Sequence, residues 1–120
     1  MHSIIKGFHV LAKGNLIEAQ KIAKDIYKNQ RLLVGSGTFF GSGVYAYFLD
    51  NVPKLVKHLP GVVFEISQES IEKIHVPIPD KPDFQFFKIP GNIGDFISIK
   101  VLGFRNLKTA EFLEYVGELA

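Results

Sequence analysis

The sequence predicts one compact α+β domain over residues 1–120, with mixed or antiparallel sheets and three helices. Apolar residues make up 47% of the chain and charged residues 22%, which is typical of a protein with one buried core. Strand and helix patterns also follow one another without the strict alternation that favours a parallel sheet. We therefore expect a single domain without an interdomain linker.

Net charge, cysteine content and the length of apolar stretches limit the classes of protein to which the chain can belong. The net charge of +2 is spread along the chain, so no block of basic residues predicts a nucleic-acid surface. The absence of Cys excludes disulfides, thiolate nucleophiles and Cys-ligated metals. The first residues lack a signal-peptide core, and no stretch approaches the roughly 20 apolar residues that cross a bilayer. We expect a cytoplasmic protein with no membrane contact.

The first elements are a strand and a helix. The apolar run 4–11 predicts a strand that contains His9. Asn15 is a predicted N-cap with Glu18 three positions later, which indicates a helix that ends near residues 28–30.

A glycine-rich segment follows over residues 35–45 and excludes a helix there, because each Gly costs about 1 kcal/mol relative to Ala in a helix interior. Residues 44–48 predict a strand. Asp50 or Asn51 is the expected N-cap of a second helix that ends before Pro60. The apolar face of that helix would consist of Val52, Leu55, Val56 and Leu59.

The second half predicts mainly strands. The expected elements are a strand over 62–66, a helical turn over 67–73, an edge strand or loop over 75–82, a strand over 84–89, an extended run over 96–104, and a third helix capped by Thr109.

The glycine-rich segment is neither of the two common phosphate-binding motifs. It lacks the Gly-Lys-Ser/Thr ending of a P-loop, and Phe40 occupies the third glycine position of the dinucleotide fingerprint. Glycine removes the Cβ that would block a close approach. The segment therefore predicts either a ligand-binding loop or a structural turn against a packed neighbour.

Few other residues suggest chemistry. His9 lies mid-strand, where a buried ring needs a hydrogen-bond partner, and it is either a satisfied structural histidine or part of a site. The remaining histidines have no metal-ligand spacing, so no metal is expected. No Gly-x-Ser-x-Gly nucleophile motif is present.

Three separated pieces, in order, resemble the catalytic core of the poly(ADP-ribose) polymerase and diphtheria-toxin group of ADP-ribosyltransferases. They are His9 on the first strand, the segment Phe40-Gly41-Ser42-Gly43-Val44-Tyr45-Ala46, and Asp95 ahead of the last extended run. That family has Glu at the position of Asp95. Val10 and Leu11 stand where it usually has Gly and a hydroxyl residue, and Pro53 and Val56 replace a Ser and a second stacking Tyr.

The resemblance implies a fold built around an NAD cleft and a mono-ADP-ribosyltransferase that uses NAD as substrate, without a metal. His9 would donate a hydrogen bond to a ribose of NAD, and Tyr45 would stack on the nicotinamide. Gly41, Gly43 and the Val10 backbone would also contact NAD. Asp95 would be the catalytic carboxylate that stabilises the developing positive charge. The acceptor, a protein or a nucleic acid, and the oligomeric state are not specified by the sequence.

Three alternatives remain open. The chain can be a relative that binds a ligand or a protein without catalysis, and the shorter side chain of Asp95 favours that interpretation. Transfer of an RNA 2′-phosphate to NAD would favour several Arg, of which the chain has Arg31 and Arg105. In an unrelated α+β domain, His9 and Tyr45 would be core residues only.

Overall fold

The computed structural model describes residues 3–11, 15–35, 42–76 and 84–107. It consists of a six-stranded sheet with the order β5-β6-β3-β1-β4-β8, a two-stranded sheet β2-β7, and one α-helix in the described part. All strand pairs within these described ranges are antiparallel. The strands are β1 (Ile4–Val10), β2 (Arg31–Leu33), β3 (Gly43–Phe48), β4 (Gly61–Ser67), β5 (Glu72–Val76), β6 (Phe84–Pro90), β7 (Phe96–Ser98) and β8 (Lys100–Arg105).

Helix α1 spans Leu16–Asn29 and forms where the sequence predicts it. The Asn15 side chain accepts a hydrogen bond from the Glu18 N–H at 3.0 Å and caps the first turn. Gln30 ends the helix in the left-handed conformation, with φ 51°. The buried face of α1 consists of Ala19, Ala23 and Ile26.

Alternation along the strands divides the core between the two faces of the main sheet. On the α1 face, the helix packs against a large cluster that includes Val62, Phe64 and Phe87. On the opposite face, Phe8 and Val63 pack against Val52, which lies in the segment between β3 and β4. The central strands β1 and β4 are therefore covered on both sides.

The expectation of an α+β fold with three helices around a cleft is wrong, because the described chain is mostly antiparallel sheet with one α-helix. A short 3₁₀ helix, Leu49–Asn51, and turns replace the predicted second helix. Val52 precedes Pro53 and is extended, with φ −76° and ψ 125°. The segment between Pro53 and Pro60 is shorter than the roughly 12–15 residues that an isolated helix needs to be stable in water. Leu55, within this segment, is 92% exposed and adds no packing to support a helix.

The extended run predicted over 96–104 is two strands in two sheets. Strand β7 pairs with β2, and β8 pairs with β4. Ile99 lies between them, buried, and its N–H donates to the Gln30 carbonyl at 3.0 Å. The chain changes its hydrogen-bond partner at this residue, which periodicity does not reveal. The predicted third helix at Thr109 lies outside the described residues.

Candidate functional site

The ladder between β1 and β3 stops at His9. Gly7 pairs with Phe48 and Phe8 pairs with Tyr47, and no further backbone pair between β1 and β3 occurs in the described chain. Instead, the His9 ring places Nδ1 2.6 Å from the Tyr45 carbonyl oxygen. A side chain thus replaces the backbone donor at the end of this ladder. The two positions predicted from separate segments, His9 and Tyr45, are in direct contact.

This hydrogen bond determines the tautomer of His9. A carbonyl oxygen only accepts, so Nδ1 carries the proton. Burial lowers the pKa of His9 below its ordinary value of 6.5, while the hydrogen bond to Tyr45 partly opposes that shift. In the neutral ring, Nε2 is an acceptor, and no residue of the described part bonds to it.

A cavity of about 400 Å³, the Tyr45 cavity, opens beside the interrupted ladder. Val44 and Ala46 are buried in the α1-side core, so alternation directs Tyr45 and Tyr47 to the opposite face. The Tyr45 ring lies 6.0 Å from the Phe86 ring at 48°. Burial raises the pKa of the Tyr47 hydroxyl above its ordinary value of 10.0. The cavity is lined by His9, Val10, Tyr45, Ala46, Tyr47, Val56, Leu59 and Phe86.

A second cavity of about 560 Å³, the Arg31 cavity, also includes His9 in its wall. A Cβ at Gly7 would meet the Phe87 and Phe64 rings, so that position faces the α1 side, and His9 two residues later faces the same way. The Arg31 cavity therefore lies between the sheet, α1 and the β2-β7 pair. Its lining consists of His9, Leu11, Lys21, Ile22, Asp25, Ile26, Arg31, Leu32, Leu33 and Phe96.

The remaining predicted cofactor contacts separate into two groups. Val10 lines the Tyr45 cavity together with His9 and Tyr45. Gly43 lies against β6 instead, because a Cβ there would stand 2.6 Å from the Ile89 carbonyl oxygen. A packed strand is thus the close neighbour of Gly43 in the structure. Gly41 lies outside the described residues.

Asp95, the predicted catalytic residue, lines neither of these two cavities. Its Oδ2 accepts a hydrogen bond from the Asn92 N–H at 3.0 Å, and the residue is exposed. Its backbone carbonyl accepts from the Val34 N–H at 2.9 Å. Both interactions stabilise the turn that leads into β7. The structure therefore brings His9, Val10 and Tyr45 together, while the Asp95 carboxylate belongs to a turn.

Two sets of lining residues were missed from the sequence. Phe86 shares the Tyr45 cavity because β6 pairs with β3, a long-range pairing without a local signal. Lys21 and Asp25 are four apart on α1 and therefore on one helical face, a spacing that could have been noticed. Lys21 and Asp25 line a cavity together with Arg31 only in the folded chain.

Within the described ranges, no group of three or more His, Asp or Glu side chains is placed to hold a metal ion. No helix in the same ranges combines the length and apolarity required to span a membrane. The chain matches none of the protein-family models, curated proteins or solved structures with which it was compared.

Proposed function

We propose that this chain binds NAD at the Tyr45 cavity and acts as a binding module without efficient ADP-ribosyl transfer. The observation that supports this most directly is the 2.6 Å contact between His9 Nδ1 and the Tyr45 carbonyl. It joins two of the three positions on which the resemblance to ADP-ribosyltransferases depends.

The chemistry of the Tyr45 cavity suits a flat, positively charged ring. Tyr45, Tyr47 and Phe86 contribute aromatic surface to a mainly apolar wall. The nicotinamide of NAD is planar and cationic, so an aromatic face attracts it both by stacking and by a cation–π interaction. A volume of about 400 Å³ lies within the ordinary range of small-molecule sites.

His9 contributes a hydrogen-bond acceptor rather than the donor expected from the resemblance. Its Nδ1 proton is engaged by the Tyr45 carbonyl, and its lowered pKa keeps the ring neutral at pH 7. We therefore expect Nε2 to accept a hydrogen bond from a ribose hydroxyl. Such a bond inside a partly dry site contributes about 0.5–1.5 kcal/mol.

Slow or undetectable transfer follows from the position of Asp95. Transition-state stabilisation needs a carboxylate beside the ribose where positive charge develops. The Asp95 carboxylate accepts the Asn92 N–H in an exposed turn. We expect no NAD hydrolysis above background and an unchanged NAD affinity in Asp95→Asn. Hydrolysis that is abolished by Asp95→Asn would instead support a transferase.

Calorimetric titration of the full chain with NAD tests the proposal. Tyr45→Ala should weaken binding about five- to a hundredfold, because loss of an aromatic stacking partner costs about 1–3 kcal/mol. Phe96→Ala is the matched control, since Phe96 is an aromatic residue that is 52% exposed and lines the Arg31 cavity instead. Equal losses in the two variants, or no binding of NAD by the unmodified chain at millimolar concentration, would contradict the proposal.

His9→Asn separates the two roles of the histidine ring. The Asn amide can donate to the Tyr45 carbonyl in place of Nδ1, but it provides no counterpart of Nε2. We expect a folded protein with NAD affinity reduced several-fold. His58→Asn is the control, because His58 is exposed and lines neither cavity.

A further inference from the structure

The Arg31 cavity combines cationic side chains with an apolar floor. Leu11, Ile26 and Leu32 are buried and form part of its wall. Lys21 and Arg31 supply two positive charges, and Asp25 supplies one negative charge. The cavity therefore offers a net positive charge beside apolar surface, and it is large enough for a small organic molecule.

Arg31 is held in place by its surroundings. Its backbone pairs with Ser98 in the β2-β7 sheet, and its guanidinium carbon lies 3.7 Å from the centre of the Phe96 ring. Stacking on this ring orients the plane of the guanidinium group. The Arg31 Nε is buried and has no hydrogen-bond partner among the described residues.

An unpartnered buried N–H destabilises the unliganded fold, because the group has lost water without gaining an acceptor. No ion pair joins Arg31 or Lys21 to a carboxylate in the described part of the chain. The Asp25 carboxylate accepts instead from the Asn29 amide at 2.9 Å. An oxyanion that drew the guanidinium slightly into the cavity would satisfy Nε and a neighbouring N–H together, in the bidentate geometry that Arg prefers.

His9 also forms part of this wall. From these observations we infer that the Arg31 cavity binds a small organic anion. The carboxylate or phosphate group of this anion contacts Arg31 and Lys21, and its apolar body lies on Leu11, Ile26 and Leu32. The site is distinct from the Tyr45 cavity, so the inference does not depend on the binding of NAD.

Titration of the ¹⁵N-labelled chain with phenyl phosphate, benzoate, inorganic phosphate and benzyl alcohol tests this inference by NMR. Phenyl phosphate or benzoate should bind and shift the amide signals of α1 and β2, and the tighter of the two identifies the anionic group. Inorganic phosphate lacks the apolar body, and benzyl alcohol lacks the charge, so both should bind at least about tenfold more weakly. Absence of binding by both aromatic anions, or equal binding of benzyl alcohol, would overturn the inference.

Variants then locate the bound anion. Lys21→Gln and Arg31→Gln should each weaken binding of the aromatic anion about tenfold, and Arg31→Lys should also weaken it, because Lys lacks the planar fork. Lys28→Gln is the matched control, since it removes the same charge from an exposed position on α1 outside the cavity.

Tyr45→Ala should leave anion binding unchanged even where it abolishes NAD binding. Equal losses in Lys21→Gln and Lys28→Gln would indicate a general charge effect and refute the site. Lys21 is exposed on the helix, so its variant tests the inference even if Arg31→Gln does not fold.

Discussion

At the scale of single residues, His9 has the largest influence on the candidate site. It ends the β1-β3 ladder by bonding the Tyr45 carbonyl, and it forms part of the wall of both cavities. The titratable and charged groups around it are Tyr45, Tyr47, Lys21, Asp25 and Arg31. A change in the charge of His9 is therefore felt in both cavities.

The lowered pKa of His9 predicts a loss of stability on acidification. Burial makes the folded pKa lower than the ordinary value of 6.5, so the unfolded chain binds the proton more readily. The contribution of neutral His9 to the free energy of unfolding is therefore complete above pH 6.5, and it is lost as the pH falls through the folded pKa of His9. Urea unfolding between about pH 8 and about pH 5 should show this slope, and His9→Asn should flatten it. An identical slope in the variant would assign the pH dependence to other groups.

Gly43 provides a second test at the residue scale. A Cβ there would stand 2.6 Å from the Ile89 carbonyl oxygen, and the backbone of a paired strand cannot move away cheaply. Gly43→Ala should therefore lower the free energy of unfolding by about 1–3 kcal/mol. Gly35→Ala is the control, because an added Cβ at Gly35 meets nothing within 4 Å. A neutral Gly43→Ala variant would contradict the close approach of β3 and β6.

At the scale of elements, α1 depends on signals within its own sequence. The Asn15 side chain satisfies the Glu18 N–H, and Ala19, Ala23 and Ile26 recur on one face. These local preferences agree with the fold in which the helix packs, and such agreement favours the helix. The short segment between Pro53 and Pro60 has no comparable support, and it forms turns.

Removal of the Asn15 cap measures this local contribution. Asn15→Ala should lower the free energy of unfolding by about 1 kcal/mol, because the Glu18 N–H loses its partner. Asn15→Asp should retain the stability, since a carboxylate caps equally well and interacts favourably with the helix N-terminus. Chemical denaturation followed by circular dichroism distinguishes the two variants. Equal destabilisation by both changes would show that the cap does not stabilise the helix.

At the scale of the whole molecule, Gln30 connects the helix to both sheets. Its carbonyl accepts from the Ile99 N–H at 3.0 Å, and its Oε1 accepts from the Val101 N–H at 2.9 Å. Its Nε2 donates to the Tyr27 carbonyl at 2.7 Å. These bonds place the start of β8 against the end of α1, and β2 begins at the next residue. The Arg31 cavity lies beside this junction.

Loss of the Gln30 side chain should therefore cost more than loss of an ordinary helix glutamine. Gln30→Ala leaves the partly buried Val101 N–H without its partner and should destabilise the protein by about 1–3 kcal/mol. Gln20→Ala, on the same helix, should change the stability by less than about 0.5 kcal/mol. Thermal unfolding of the two variants provides the comparison, and a neutral Gln30→Ala would refute the connecting role.

The spacing of apolar residues and the capping residues in the sequence determined the elements that depend on interactions between neighbours along the chain. Periodicity predicts the strand that contains His9, the N-cap of α1, the strand that contains Tyr45 and most later strands close to where they form. Alternation also determined that Tyr45 and Tyr47 share a face. These properties follow from spacing and local hydrogen bonds, which any window of about ten residues contains.

Only the tertiary structure decided which elements meet. Pairing of β3 with β1 and β6 brought Tyr45 to His9 and Phe86, and the change of partner at Ile99 divided one extended run between two sheets. The Asp95 carboxylate accepts a hydrogen bond from the backbone of a turn, and Arg31 and Lys21 line the same cavity. Backbone hydrogen bonds carry no side-chain signature, so an extended segment has many possible partners, and the choice among them depends on the packing of the whole core.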